Sequence, residues 1–326
     1  LLKDRTEIKL FTRPRRFGKT LNMTTLKYFF DVRNAEENRK LFKDLYIKKS
    51  EYFKEQGQYP TIFITLKDTK KNNWEECYSK IKIILRDLYE EHSYIKDKLS
   101  INEKEEYDKI LFKKDDAEYD NALLNLTKYL YNYYQKKVVL LIDEYDSPLI
   151  TANQFGYYKE AINFFRDFLS SALKTNSNLK MGVLTGIVQV AKEGIFSGLN
   201  NVKTYNILGD KFEIFFGLSE EEVEEALKYF EMTYEIEEVK RWYDGYKFGN
   251  SEVYNPWSIV NYLSDRGLQA YWVNTSDNAL IYDNLKNSTV DVFKDLEALF
   301  EGKAIKKEIS PFFTFEELSK FDGIWQ

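Results

Sequence analysis

The residues Val138-Val139-Leu140-Leu141-Ile142 form the most apolar stretch of the chain, and they run directly into two carboxylates, Asp143 and Glu144. A short apolar run without polar alternation suits a strand covered on both faces. Such strands belong to parallel sheets sheathed by helices, where ligands bind beyond the carboxyl ends of the strands. The two carboxylates therefore fall at a ligand-binding edge, and their burial there is costly without a cation nearby. A solvated strand-to-loop turn is the alternative reading.

Three further apolar runs, at 8–12, 61–66 and 181–185, have the same character. Helix-like segments separate them, clearest at 20–31, 74–91, 120–134 and 157–174. In the last of these Ile162, Phe165, Leu169 and Leu173 recur at helical spacing, a core-facing stripe. Strands alternating with helices predict an α/β fold, a three-layer αβα sandwich with a mainly parallel sheet, over residues 1–216. The heavily charged segment 102–118 reads as a solvated helix or excursion. The character then changes. Ser219 and Glu222 form a capping box at a helix start, residues 242–246 read as a turn entering a hairpin that ends near Tyr254, and Pro256 opens another helix over 257–263. Residues 217–326 are expected to form a smaller, mostly helical, winged-helix-like domain. The aromatic turns 242–246 and 255–257 read as packing.

The loop after the first strand is Arg13-Pro14-Arg15-Arg16-Phe17-Gly18-Lys19-Thr20. It matches the end of the phosphate-binding pattern G-x-x-x-x-G-K-[ST], with Arg13 in place of the first glycine. A strand leads in and a helix leads out, so backbone N–H groups and the helix dipole converge on one anion site. Gly18 lets a phosphate approach the backbone, Lys19 reaches the β- and γ-phosphates, and Thr20 offers a hydroxyl to Mg²⁺. Arg15 and Arg16 add positive charge, and Leu21 continues the cradle into the helix. The bland alternative is a basic turn capping a helix. Read together with the acidic strand, the loop predicts ATP and Mg²⁺ binding, with Asp143 on the metal and Glu144 polarising the attacking water. One predicted strand, 61–66, lies between the two motifs. That suggests the ATPase branch with an additional strand and a catalytic glutamate (ASCE). Thr185, before Gly186, reads either as a sensor of the γ-phosphate or as a plain strand end.

Composition removes other classes. One histidine, His92, cannot build a His-based metal site or a Ser-His-Asp triad; it reads as a surface residue near a helix end. The single cysteine, Cys77, reads as a small core residue and suits a reducing cytoplasm. No stretch approaches the roughly 18 uninterrupted apolar residues of a membrane span. A net charge of −5 gives no global support for nucleic-acid binding, leaving only a local patch. The chain starts at Leu1 and ends at Gly323-Ile324-Trp325-Gln326, which reads as a piece of a longer protein.

The segments 13–22 (Arg-Pro-Arg-Arg-Phe-Gly-Lys-Thr-Leu-Asn), 141–149 (Leu-Ile-Asp-Glu-Tyr-Asp-Ser-Pro-Leu), 185–187, 191–201, 242–246 and 254–258 occur in an order that resembles the bacterial AAA-ATPase-like proteins. The resemblance spans most of the chain. It implies a P-loop ATPase of the AAA-like kind in which arginine at position 13 is normal. AAA-like ATPases often form rings, which implies a homo-oligomer. Members often carry a PD-(D/E)xK nuclease-like domain after the ATPase region, implying nucleic acid as a partner through that domain. No D…ExK constellation stands out before Gln326, and Gly194 stands where the family pattern leads us to expect serine. Residues 192–201 read either as a loop beside the nucleotide, with Lys192 near phosphate, or as a structured connection. Arg166 and Arg241 are candidates for an arginine finger, which another subunit can also supply. Three functions follow: an ATPase switch or motor for an attached or partner domain, a nucleotide-gated binding module, or an ATPase guiding a nuclease.

Overall fold

The computed structural model describes residues 1–189, 201–232, 236–273, 285 and 288–308. Five strands, β1 (Ile8–Thr12), β2 (Thr61–Thr65), β3 (Val138–Asp143), β4 (Leu179–Gly186) and β5 (Val202–Tyr205), form one parallel sheet in the order β2-β3-β4-β1-β5. Four of the five are the expected apolar runs, displaced by at most two residues at either end. The strand that separates the phosphate-loop strand β1 from the acidic strand β3 is β4; β2, which lies between them in the chain, sits at the sheet edge. This puts the ends of β1, β3 and β4 side by side.

The period of two along each strand builds two separate apolar layers. Val138, Leu140 and Ile142 join Ile8, Leu10, Ile62, Ile64 and Leu184 on one face. That face is covered by α3 (Trp74–Glu91), α5 (Ala122–Tyr134) and α7 (Tyr158–Leu173). Val139 and Leu141 point the other way, with Phe11, Met181 and Val183, towards α1 (Lys19–Phe30). The result is the expected αβα sandwich. Helix α3 starts at Asn73, whose side chain accepts from the Glu76 amide at 2.9 Å, and buries Cys77, Ile81, Leu85 and Leu88 at helical spacing. Smaller helices complete this half: α2 (Ala35–Arg39), α4 (Ile101–Leu111) and α6 (Ser147–Phe155). The charged segment 102–118 is mostly α4, opened by a Ser100–Glu103 capping box and anchored by Tyr107 and Ile110.

Beyond Gly217 the chain forms α8 (Glu220–Tyr229), α9 (Ile236–Tyr243), a hairpin of β6 (Tyr246–Phe248) and β7 (Ser251–Val253), α10 (Pro256–Asp265) and α11 (Val290–Phe300). The Ser219–Glu222 capping box is present. Val223, Leu227, Val239, Tyr243, Ile259 and Tyr262 share an apolar cluster separate from the sheet's two layers. Among the described residues, no helix is long and apolar enough to cross a membrane.

One strand lies beyond the expected four, and one expectation changes. Strand β5 carries no apolar run: Val202-Lys203-Thr204-Tyr205 alternates, as an edge strand with one covered face does. His92 is not a surface residue; it is 1% exposed. Immediately after α3 the chain enters a 3-10 turn, Ser93–Lys98, that buries Ile95. The His92 Nδ1 lies 3.2 Å from the Tyr94 hydroxyl, and Nε2 is buried without a hydrogen-bond partner. Burial, reinforced by the charge of Arg33, pushes the His92 pKa down to about 3.

The folded chain thus disfavours protonated His92, while the unfolded chain accepts the proton near its ordinary value of about 6.5. Stability from this group is complete above that value and lost as pH falls towards 3. Urea denaturation between pH 7 and 5 is expected to show the loss, approaching about 1.4 kcal/mol per pH unit at its steepest. His92→Phe, which cannot protonate, flattens the profile over the same window.

Candidate active site

The loop leaving β1 keeps contact with the sheet: the Arg13 amide donates to the Gly186 carbonyl at 3.1 Å. The chain then adopts left-handed backbone at Arg16 (φ +70°) and Gly18 (φ +71°). Alternating handedness of this kind turns successive N–H groups towards one concavity. Gly18 begins α1 with no capping side chain, and the first turn contains no acidic residue. A Cβ on Gly18 would project into open space, so a ligand can approach the backbone there.

Lys19 is buried, and its Nζ donates to the Arg13 and Pro14 carbonyls at 3.0 and 2.9 Å. Burial lowers its pKa; the charges of Asp146, Glu144 and Asp143 oppose that shift. The ammonium therefore sits in a field set by the acidic strand end. Asp143, 1% exposed, is the hub. Its Oδ2 accepts from the Thr20 hydroxyl at 2.7 Å, and its Oδ1 accepts from the Thr185 hydroxyl. One carboxylate thereby joins the helix after the loop, the end of β3 and the end of β4. Glu144 has left-handed backbone (φ +53°), and its carboxylate accepts from the Ser147 hydroxyl at 2.8 Å.

A third carboxylate completes the edge. Asp146 is buried and accepts from the Ile187 and Val188 amides at 2.7 and 2.8 Å, while its Oδ1 has no partner. Burial raises its pKa, opposed by those two amides and by Lys19. A Cβ at Gly186 would lie 2.7 Å from the Tyr145 ring and 2.9 Å from the Asp146 carboxyl carbon, so only glycine lets the acidic turn close on β4. Asp146 is the residue that sequence reasoning passed over; its signal was a third carboxylate in four residues, just before Pro148.

The remaining loop residues divide. Pro14 and Arg15 are half-buried, Arg16 is exposed, and Leu21 stands exposed on α1. Phe17 is buried with Phe248 and Val253 of the hairpin. Arg13 is fully buried, its guanidinium donating to the Thr12, Tyr205 and Phe212 carbonyls at 2.9, 2.7 and 3.1 Å. It also lies over the Phe216 and Phe248 rings, 5.0 and 5.3 Å from their centres. Its backbone is engaged as well, the amide with the Gly186 carbonyl and the carbonyl with Lys19 Nζ. Arg166 and Arg241 lie on α7 and α9. Residues 192–200 lie outside the described residues.

The donor set fits a magnesium nucleotide. Among the described residues no three His, Cys, Asp or Glu side chains gather into a metal cage. Mg²⁺ at a phosphate site needs no cage, because one or two protein oxygens suffice when phosphates and waters supply the rest. Thr20 and Asp143 offer those oxygens, and Lys19 and the loop amides offer the cationic and N–H partners of phosphate.

Thr185→Val replaces the hydroxyl with a methyl of similar size and leaves Asp143 Oδ1 buried without that donor. The expected cost is about 1–3 kcal/mol of stability, measured by denaturant unfolding without nucleotide, with Thr185→Ser retaining most of it.

Comparison with known proteins bears on the same segments. Residues 1–196 match the AAA-ATPase-like family, described as Predicted AAA-ATPase. A protein of Azotobacter chroococcum mcd 1, described as "Uncharacterized protein in vnfD 5'region", is 23% identical over 280 residues, covering 84% of this chain and 48% of that protein. The chain spans about half the length of this curated relative. No solved structure matches.

Proposed function

We propose, for a chain that belongs to the Predicted AAA-ATPase family, that it binds ATP with Mg²⁺ and hydrolyses it as a switch or motor for an attached or partner domain. The observation that carries the reading is the Asp143 carboxylate, which links Thr20 of the phosphate loop to Thr185 of β4. In this reading residues 1–216 are the ATPase core and 217–326 the helical domain that responds to it.

The chain's own groups divide the work. The amides from Arg15 to Leu21, with Arg13 tying the loop to Gly186, Pro14 shaping the turn and Phe17 anchoring it, cradle the phosphates, and Arg15 and Arg16 add charge. Lys19 exchanges its two carbonyl partners for phosphate oxygens. Thr20 and Asp143 hold the metal, which when bound supplies charge neutralisation at the phosphates. Glu144 orients a water and accepts its proton, and Thr185 fixes the geometry of the edge. Little covalent chemistry is asked of the protein; positioning and electrostatics supply the rate. Assembly into a homo-oligomer, an arginine finger from a neighbour, and guidance of a nuclease-like segment on nucleic acid extend the same reading. A cytoplasmic setting agrees with a lone, buried Cys77.

A second reading, a nucleotide-gated binding module with little turnover, is favoured by the Glu144–Ser147 hydrogen bond, which draws the carboxylate into the turn.

Phosphate release from Mg²⁺-ATP, with and without DNA, separates the readings. Turnover in the unmodified chain is expected to fall on the order of 10²–10³-fold in Lys19→Ala and in Glu144→Gln. Glu144→Gln should still bind ATP. Tight ATP binding without turnover selects the binding module, stimulation by DNA selects nuclease guidance, and absence of ATP binding removes the proposal.

A further inference from the structure

Of the three carboxylates in the acidic turn, Asp143 and Glu144 have parts in the proposed reaction and Asp146 has none. Asp146 is 1% exposed, and a single oxygen, Oδ2, accepts from two successive amides, Ile187 at 2.7 Å and Val188 at 2.8 Å. Its neighbour Tyr145 holds the same stretch: the Tyr145 amide donates to the Thr185 carbonyl at 3.0 Å, and its hydroxyl to the Val188 carbonyl at 2.9 Å. Four hydrogen bonds to Tyr145 and Asp146 thus hold residues 185–188.

This stretch needs such a hold. The paired register of β3 with β4 ends at Ile142 and Leu184, and that of β1 with β4 at Thr12 and Gly186. Thr185 therefore lies past the β3 ladder while its hydroxyl still donates to Asp143 Oδ1. Gly186 admits Asp146, since a Cβ there would lie 2.9 Å from the Asp146 carboxyl carbon. The same lack of a side chain loosens the backbone between Thr185 and the residues that follow. Two amides converging on one buried carboxylate oxygen remove that freedom, because hydrogen bonds to an ionised acceptor are roughly twice as strong as neutral ones. The Gly186 carbonyl lies within the held stretch, and it accepts the Arg13 amide at the root of the phosphate loop at 3.1 Å.

We propose that Asp146 is a positioning residue of the site: by clamping the Ile187 and Val188 amides it holds the Thr185 hydroxyl on Asp143, and so keeps the Asp143 carboxylate oriented beside Thr20 for Mg²⁺. The inference rests on the reading of the loop and Asp143 as a magnesium-nucleotide site, and adds to it a residue that acts through Thr185.

Titration calorimetry with a non-hydrolysable ATP analogue at graded Mg²⁺ tests it on the unmodified chain, Asp146→Ala, Asp146→Asn, Thr185→Val and the Asp146→Ala/Thr185→Val double variant. Asp146→Ala is expected to raise the Mg²⁺ concentration needed for half-maximal binding by about 10-fold, as loss of a group that orients a metal ligand does. A chain that is merely destabilised presents fewer binding sites with the same Mg²⁺ requirement. Asp146→Asn, whose carbonyl oxygen accepts the same two amides, keeps the requirement near that of the unmodified chain, and the double variant needs no more Mg²⁺ than the worse single one. An unchanged Mg²⁺ requirement in Asp146→Ala overturns the proposal while leaving the nucleotide site intact. So do multiplied losses in the double variant, which show that Asp146 does not act through Thr185. An Asn variant as impaired as the Ala variant also overturns it, by assigning the effect to the charge of Asp146 rather than to its hold on the amides. Should Asp146→Ala fail to fold, Asp146→Ser, with one short acceptor for two amides, takes its place under the same criteria. Binding that is independent of Mg²⁺ in the unmodified chain overturns this proposal and leaves the phosphate loop as a nucleotide site. No binding at all removes the site reading itself, and this proposal with it.

Discussion

A carboxylate at the end of a central strand is expensive to bury unless donors surround it. Asp143 meets this constraint with two hydroxyls that come from different elements, Thr20 at the start of α1 and Thr185 at the end of β4. The sheet order makes the solution available. Because β4 lies between β1 and β3, the loop, the acidic turn and Thr185 reach one point without any long side chain having to bridge them. Gly186 then lets Tyr145 and Asp146 fold over the end of β4. The Tyr145 amide donates to the Thr185 carbonyl at 3.0 Å, so the turn is held to β4 by backbone as well as by side chains.

Two cations are buried near this edge and are stabilised differently. Arg13 is shielded within protein, by three carbonyls and two aromatic rings, and burial still lowers its pKa to about 10. Such an arrangement suits a permanent strut. Lys19 has only the carbonyls of its own loop as described hydrogen-bond partners, with the acidic turn supplying counter-charge at longer range. These carbonyls are neutral partners that an anionic ligand can displace, because the ligand brings full negative charge in exchange. The distinction matters for a sequence in which arginine replaces the first glycine of the pattern: the arginine adds a tether to β5 and to residues 212–216, and Gly18, beside which the structure leaves open space, stays in place.

Much of this was legible in the residues. β1 covers the apolar run expected at 8–12, and α3 the helix-like segment expected at 74–91. The pairing of an acidic strand end with a Gly-Lys-Thr helix start was enough to predict that the two would meet, because parallel sheets gather strand ends on one edge. What was hidden depended on residues far apart in the chain. Two partners of the Arg13 guanidinium lie at positions 205 and 212, and β5 is an alternating edge strand recognisable only beside β1. A local pattern cannot report contacts made at such separations, and a basic residue inside a phosphate motif looks the same whether its side chain faces the ligand or the core.

The same limit applies to the aromatic turns after residue 240, which read as packing and do pack, but against the phosphate loop. Arg16 holds left-handed backbone without being glycine, a conformation that costs on the order of 1–2 kcal/mol and persists only where its surroundings enforce it. Here the flanking side chain Phe17 is locked under the hairpin and the Arg16 guanidinium lies on Trp257. The loop's shape is thus determined jointly by the sheet, through Thr20 and Asp143, and by the C-terminal segment, through Phe17 and Arg16. A ligand that shifts the backbone between Arg16 and Gly18 must move or strain the hairpin as well, since close-packed aromatic contacts resist small displacements. Coupling between this sheet edge and the C-terminal segment therefore needs no long relay: the two share the loop itself.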